Sequence, residues 1–574
     1  DPSRAAADAA IILDAKRQLA IENLFSQAAS EVREATRALA DHLSGEALAH
    51  AEVAVKLAPD FADAHLALAR ARLAKAPGDP LSALAALRDT VMAAVREPHT
   101  LRAFYGDVLG ALLAALLTAS AATVSVLLLR NLRLFLHDFH HLPLLRGSAP
   151  VQAGFLGLVL LAMPMAFGLG PFLILATMLV AAWLYLTLTE RAVATVAVLI
   201  VAALPWAAEW AARVTSWTGT PAETIYEMEH GALEDDAVAE VVAGLGDAPP
   251  PALAAALGRH AKRRGDLDAA LRWYAEAARG DERAAEVLVN QGNVYFLKGD
   301  LEAAKAAYLK ASDRAAGHLT VQAAAHYDLS KLYLRSSDIE KSSAARDRAE
   351  QEDGSFLRRY GADDDFSANR YLIDVPVPTE HLQALAAEDP ALLEIREAVR
   401  VRLCGALPGG AWPLAPLLLL AVLWAATAAT RAIEPCHRCE KCGRPACRRC
   451  DGGGGPLCGQ CVNVYVKKGV VDARDRLRKE AQVRRHRQFG QVVTRLLALL
   501  SGGAGHVFHG LAGRGFAVLT ALLFAAFVIW FWRGIMPPPQ PSPYVLWGKL
   551  LVAVPLGLVV YLGAVRDVFN RTQS

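Results

Sequence analysis

The sequence predicts an all-α chain in which helical-repeat segments, a multi-spanning helical membrane domain and a small cysteine-rich module share one polypeptide. Three observations lead there. Hydrophobic residues make up 54% of the 574, and the mean hydropathy is +0.26, too apolar for an ordinary soluble chain of this length. A set of small and aromatic residues recurs at a spacing of 34 in the central polar region. Seven of the eight cysteines fall between Cys436 and Cys461, which marks a site rather than a dispersed disulfide framework.

Crossing a bilayer takes about 20 apolar helical residues, because each rises about 1.5 Å through a hydrocarbon layer of about 30 Å. Seven windows answer to this: Val108 to Leu129, Val151 to Leu169, Phe172 to Leu188, Ala192 to Ala208, Leu414 to Thr430, Gly515 to Trp532 and Val545 to Val565. The third and fifth are the shortest. Only Gly170-Pro171 and Glu190-Arg191 separate the second, third and fourth, which suits tight helical hairpins. The chain then divides into a helical region 1–107, a four-helix membrane region 108–209, a repeat domain 210–410 and a transmembrane helix 411–430. A cysteine module 431–465, a basic juxtamembrane helix with a glycine-rich entry 466–514 and a two-helix membrane hairpin 515–574 follow. The chain opens on Asp1-Pro2, as expected of a fragment or of a form whose signal peptide has been removed.

Residues 431–514 carry 17 Lys/Arg against 6 Asp/Glu, and basic loops stay in the cytoplasm. Strict alternation of seven spans then puts the 130–150 loop inside as well, where Arg130, Arg133 and Arg146 agree with it. The regions 1–107 and 210–413 fall outside. Trp206, Trp210, Trp530 and Trp532 lie near segment ends, as an interfacial aromatic belt requires. A re-entrant hairpin in place of one span would reverse everything before it.

In the repeat, Gly258, Gly265, Asp266, Ala270, Tyr274 and Ala277 return as Gly292, Gly299, Asp300, Ala304, Tyr308 and Ala311, each displaced by 34. A third copy places Tyr333 and Asp338 38 residues after Tyr295 and Asp300, and has Arg346 where the aromatic stood. The pattern resembles the tetratricopeptide repeat, with small residues where antiparallel helices touch, Gly-Asp at the turn and an aromatic between neighbours. Ala49 to Leu73, with Pro59 between two Ala-rich helices, resembles one more. The resemblance implies a curved surface that holds a protein or peptide, and it implies interaction rather than catalysis.

The cysteines read Cys436-x2-Cys439-x2-Cys442-x4-Cys447-x2-Cys450-x7-Cys458-x2-Cys461. Paired Cys-x2-Cys knuckles present two thiolates at the bite of a tetrahedral zinc ion. The module resembles treble-clef and cross-brace zinc fingers over about 30 residues. The expected grouping is Cys439, Cys442, Cys458 and Cys461 on one ion. Cys447 and Cys450 would need two further ligands, and Cys436 or His437 are the nearby candidates. An iron–sulfur reading fits less well: Cys447 follows Cys442 after four residues instead of three, and no proline follows it. Disulfides fail in a reducing cytoplasm. An all-thiolate site has no open position for water and would be structural.

Beyond the module, Lys467, Lys468, Arg474, Arg476, Arg478, Lys479, Arg484, Arg485 and Arg487 cluster on a helical stretch. Attraction to anionic lipid headgroups, worth about 1 kcal/mol per basic residue near the surface, explains them better than nucleic acid, for which interleaved aromatics are lacking. His137, His140 and His141 copy the spacing of one histidine box of membrane di-iron hydroxylases, but no second box accompanies it. The alternative reading is an amphipathic interfacial helix, Leu132 to Leu145. Gly502 to Gly515, with His506 and His509, resembles the glycine-rich entry of small two-helix membrane domains. P-loop, nucleophile-elbow and zinc-protease motifs are missing from the sequence.

The expectation is thus a noncatalytic multi-pass scaffold of the cell membrane, with repeats outside that bind a protein partner and a structural zinc module inside. The alternatives are a membrane metalloenzyme using His137, His140 and His141, or a transmembrane signalling protein.

Overall fold

The computed structural model describes the chain except residues 1, 143–149, 216, 218–219, 231–232, 234, 247–248, 281–283, 361–366, 368, 434, 448–449, 451–454, 468–470, 535–544 and 574. Lys468, Arg146 and the last residues of the expected interfacial helix lie outside the described residues. Helices account for nearly all regular structure. Among the described residues the one sheet pairs His437–Arg438 with Pro445–Ala446.

Two compact units form. The first is built mainly of Asp1–Phe104 and Val214–Asp389, the second of Tyr105–Arg213, Pro390–Ile535 and Pro543–Ser574. The N-terminal polar region and the central one, separate in sequence, therefore share one unit.

In the first unit, Phe25–Ala40, Ser44–Leu57, Ala62–Lys75 and Pro80–Arg96 are successive helices. Ala35, Ala47, Ala54, Ala64, Ala71 and Ala86 are wholly buried among them, since a methyl group lets helices approach closely. The expected copy at Ala49 to Leu73 falls on the second and third of these helices, with Pro59 in the turn. Helix pairs follow at Pro251–Arg263 with Leu267–Gly280, Ala285–Lys298 with Leu301–Arg314, and Leu319–Arg335 with Ile339–Tyr360.

The residues spaced by 34 make equivalent contacts. Gly265 and Gly299 take left-handed φ values of 84° and 85° at the turn, and Asp266 and Asp300 accept the backbone N–H three residues on at 2.9 and 3.0 Å. In the third pair, Ser337 takes φ 61° and Asp338 accepts the N–H of Lys341. The fully buried rings of Tyr274 and Tyr308 lie on Gly258 and Gly292. A Cβ on Gly292 would stand 2.5 Å from the Tyr308 ring, whose hydroxyl donates to Asn293 Oδ1 at 2.8 Å and so cannot swing away. Gly292→Val is expected to destabilise by about 1–3 kcal/mol through overpacking, seen as a lower unfolding midpoint of the detergent-solubilised protein. Gly299→Ala meets open space and should cost only the left-handed backbone term, about 1 kcal/mol.

Among the described residues four helices, lying mainly in the second unit, are long and apolar enough to cross a membrane: Pro98–His140, Leu188–Thr215, Ala512–Trp530 and Leu546–Gln573. Seven spans were expected. The remaining three windows are the shorter apolar helices Val151–Ala166, Pro171–Tyr185 and Leu414–Ala428, the last continuing in backbone to Ile433. At 1.5 Å per residue the first two of these reach only about 25 Å, whereas the 20 residues of Leu414–Ile433 reach about 30 Å. The first window and the expected interfacial helix belong to one 43-residue helix, Pro98–His140, because no proline interrupts the run after its first residue.

Charged contacts of this unit collect at two levels. At one, Asp107 pairs with Lys549 at 2.8 Å, and Glu209 pairs with Arg396 at 3.3 Å. At the other, fully buried Glu190 pairs with Arg130 at 2.5 Å, and Asp567 holds His506 and Arg514, each at 3.0 Å. Asp107 and Arg130 are 23 residues apart on one helix, about 34 Å. The tryptophans expected at an interface, Trp206, Trp210, Trp530 and Trp532, lie toward the Asp107 level. Between the levels many exposed side chains are apolar, Leu551, Val552, Leu558 and Val559 among them. Helix Leu414–Ile433 runs antiparallel to Leu188–Thr215: the Trp412 indole before it donates to Ala202 O, while Trp424 and Thr427 reach Thr195 and Trp183.

Candidate metal centres and the peptide-holding face

The cysteine-rich module has almost no apolar core of its own. Around Cys439, Cys442, Cys458 and Cys461, all buried, the apolar residues that pack among the described residues are Ala446, Leu457, Tyr465 and Val483. The first knuckle is shaped by Gly443 at φ 69°, where Cys439 N–H donates to Arg444 O and Gly443 N–H to Cys439 O. The ring of His486 fills the space that a side chain at Gly443 would need. The second knuckle enters a short helix at Gly459, and its Cys458 N–H donates to Cys439 Sγ at 3.3 Å.

The four sulfurs lie within 4.8 Å of one another, and Cys442 Sγ is 3.7 Å from Cys458 Sγ. Thiolates at about 2.3 Å from a tetrahedral ion stand about 3.8 Å apart, so the cluster can hold a metal ion without rearrangement. Burial opposes ionisation of Cys439, but the N–H groups of Cys442, Cys458 and Lys441 bring its thiol down to about 6. The buried side chain of Lys479, on helix Ala473–Ser501, stands against the cluster. Burial disfavours its charge, yet the sulfur of Cys442 and the neighbouring thiols outweigh this and hold its pKa up. It also donates to Gln460 and Gln482, each at 2.9 Å. A four-thiolate centre carries excess negative charge, and Lys479 offsets part of it. The sequence reading had placed Lys479 among lipid-facing cations. Arg474, Arg476, Arg478, Arg484, Arg485 and Arg487 are exposed.

Cys447 and Cys450 form a second group with His137 and His141, its ligand atoms also within 4.8 Å. Cys436 and His437, the neighbours considered for this role, stand outside it. Cys436 is a buried thiol that donates to Leu134 O at 3.3 Å, and burial pushes its pKa up. His437 lies in the short strand, and its buried Nε2 has no hydrogen bond among the described residues. The histidine triplet is split: His140 is outside the group, with a buried Nδ1 that lacks a hydrogen bond among the described residues. Asp138 had no role in the sequence reading. It accepts from Cys436 N–H at 2.9 Å and from the Tyr185 hydroxyl at 3.0 Å.

In the first unit, the first helices of the three pairs hold an extended piece of the chain itself, Tyr371–Val377. Asn290 donates to Val375 O and accepts its N–H, both at 2.8 Å. Asn293 donates to Ile373 O at 3.0 Å, and Ile373 N–H donates to Asp328 Oδ1 at 3.0 Å. Lys262, wholly buried, binds both carboxylate oxygens of Asp374 at 2.7 and 2.8 Å. Val377 N–H reaches Glu229 at 3.1 Å. Apart from the Asp374 carboxylate, these contacts read main chain, so periodicity of side chains could not announce the segment. Beside its Leu372–Asp374 end opens a cavity of about 660 Å³ lined by Lys16, Arg17, Lys56, Arg96, Arg259, Arg263 and Arg370 against Glu22, Asp60 and Asp374. Its lining is strongly basic.

Compared with known protein families and with curated proteins, the chain matches none.

Proposed function

We propose that this protein is a noncatalytic membrane scaffold: its tetratricopeptide-like helix pairs, on the extracytoplasmic side, bind an acidic segment of a partner protein, and its cysteine module is a structural zinc site on the cytoplasmic side. The observation that carries the reading is the extended Tyr371–Val377 segment on the helix pairs, a face that reads peptide backbone through Asn290, Asn293 and Asp328. In this chain that face is covered in cis. The partner therefore enters at the neighbouring basic cavity, where an acidic segment meets seven cations against three carboxylates.

Zinc is favoured by four thiolates at tetrahedral spacing, and a reducing compartment keeps them metal-binding. The opposite placement of repeats and module is supported by the two charged levels about 34 Å apart. Within the second unit, Glu209 and Arg396 pair at the Asp107 level, whereas Cys436 and Arg438 contact Leu134 and Arg130 at the other. The exposed arginines of Ala473–Ser501 would rest on anionic headgroups.

A photoreactive amino acid at Arg96 in the full chain, expressed in its own membranes, tests the reading. A discrete protein adduct through an acid-rich peptide is expected, with Arg17→Glu and Lys56→Glu together reducing its yield at least tenfold. The absence of a discrete adduct, or an adduct indifferent to charge reversal, would refute partner capture at this cavity.

A further inference from the structure

We propose that His137, His141, Cys447 and Cys450 bind a second metal ion, of the zinc class, which pins the cysteine-rich module to the end of helix Pro98–His140. His137 Nε2 lies 3.5 Å from Cys447 Sγ and 3.7 Å from Cys450 Sγ, and His141 Nε2 lies 3.2 Å from Cys450 Sγ. Nitrogen at about 2.0–2.1 Å and sulfur at about 2.3 Å from a tetrahedral ion are about 3.6 Å apart. The observed spacings surround that value.

The arrangement follows from local geometry. Residues 137 and 141 are four apart at the end of the helix and share a face, and His140, three after His137, contributes no ligand atom to the group. Their rings meet edge to face at 4.8 Å, and one ligand atom from each of the four residues lies within 4.8 Å of the others. Cys439, Cys442, Cys458 and Cys461 are gathered around the other centre and the Cys436 thiol donates to Leu134 O, so the knuckle Cys447-x2-Cys450 meets the two imidazoles. Asp138 holds the two parts in register, receiving Cys436 N–H from the module side and the Tyr185 hydroxyl from the helical side. Two thiolates and two neutral imidazoles balance a divalent cation completely. A neutral centre suits a place where a helix emerges from an apolar layer, while the four-thiolate centre needs Lys479. Cys450 is exposed, which opens a route for loading the ion. The ion would close a loop of 310 residues between His137 and Cys447, so the module's position depends on it and not only on its covalent tether at Ile433.

This site stands independently of partner capture. The full-length protein is purified in detergent from zinc-supplemented cells, and metal is counted by plasma mass spectrometry. Two ions per chain are expected in the parent and one in both His137→Ala/His141→Ala and Cys447→Ser/Cys450→Ser. Cobalt substitution gives a second readout: His141→Cys should raise thiolate-to-cobalt charge-transfer absorbance and shift the d–d bands to longer wavelength, as a third sulfur joins the ion. One ion in the parent that survives the histidine substitutions would overturn the site. Two ions retained by the double-histidine variant, or a cobalt spectrum indifferent to His141→Cys, would overturn it too.

Discussion

Asp374→Ala is expected to release the Tyr371–Val377 segment and to destabilise the first unit by about 3–5 kcal/mol, the cost of leaving a buried charge without its partner. The stranded charge is Lys262, whose side chain is wholly buried. Hydrogen exchange on the full-length protein in detergent should show the amides of Ile373, Val375 and Val377 losing most of their protection, while helices of the second unit keep theirs. Lys262→Met combined with Asp374→Leu removes both charges and should recover much of the loss. If Asp374→Ala leaves the three amides protected, the ion pair does not hold the segment.

The same pair fixes the sign of the acid response. Burial alone would raise the Asp374 pKa, but Lys262 and Arg259 hold its carboxyl below the usual range. A depressed folded-state pKa stabilises above the unfolded carboxylate value, about 3.9, and that contribution is lost as pH falls through the lower folded value. Protection should therefore persist to about pH 4 and decline below it. Asp328 acts in the opposite sense. Burial raises its pKa well above the usual value, and its Oδ2 has no hydrogen bond. Its contribution is full at acid pH and falls as pH rises toward the folded value. Asp328→Asn keeps a carbonyl for Ile373 N–H, and should abolish that neutral-side slope while leaving the acid loss in place.

The second large effect concerns the four-thiolate centre. Stripping its metal with a strong chelator, or replacing Cys439 and Cys458 together by serine, is expected to unfold the module from Cys436 to Cys461. Structural zinc contributes about 10–16 kcal/mol in zinc-finger peptides at neutral pH, and here a two-residue hairpin and a handful of apolar contacts are what would remain. Protease cleavage within 436–461 should appear, with the helices around Trp183 and Leu127 unchanged. In intact cells treated with a permeant chelator, an impermeant thiol reagent should label these cysteines only after lysis. Labelling before lysis would invert the proposed sidedness.

The module's four-cysteine grouping was legible because Cys-x2-Cys is a local bite: two knuckles close on one ion wherever the chain brings them together. The helix pairs were legible for a related reason. A glycine facing a tyrosine 16 residues later, and Gly-Asp at a turn, are contacts within one pair, so their recurrence by 34 shows in the residues themselves. Spans were read less well. Hydropathy weighs composition, and the apolar windows at 151–169 and 172–188 pass on composition while their described helices are short, whereas the window at 414–430 lies on a 20-residue helix, Leu414–Ile433. Arg130 reads in the sequence as part of a basic loop, yet it is the partner of buried Glu190, a pairing across 60 residues that no local pattern encodes.

What the sequence determined by itself is therefore the all-α class, the apolar segments, the turn and helix-contact chemistry of the pairs, and the thiolates of the first centre. These depend on neighbours within a few tens of residues, where spacing translates directly into geometry. The tertiary structure alone decided which groups meet from far away: His137 and His141 with Cys447 and Cys450 across some 310 residues, and Tyr371–Val377 on Asn290, Asn293 and Asp328. Spacing along the chain constrains such encounters very little, since loop-closure entropy changes only slowly with length. Packing of the helices that carry the partners settles them.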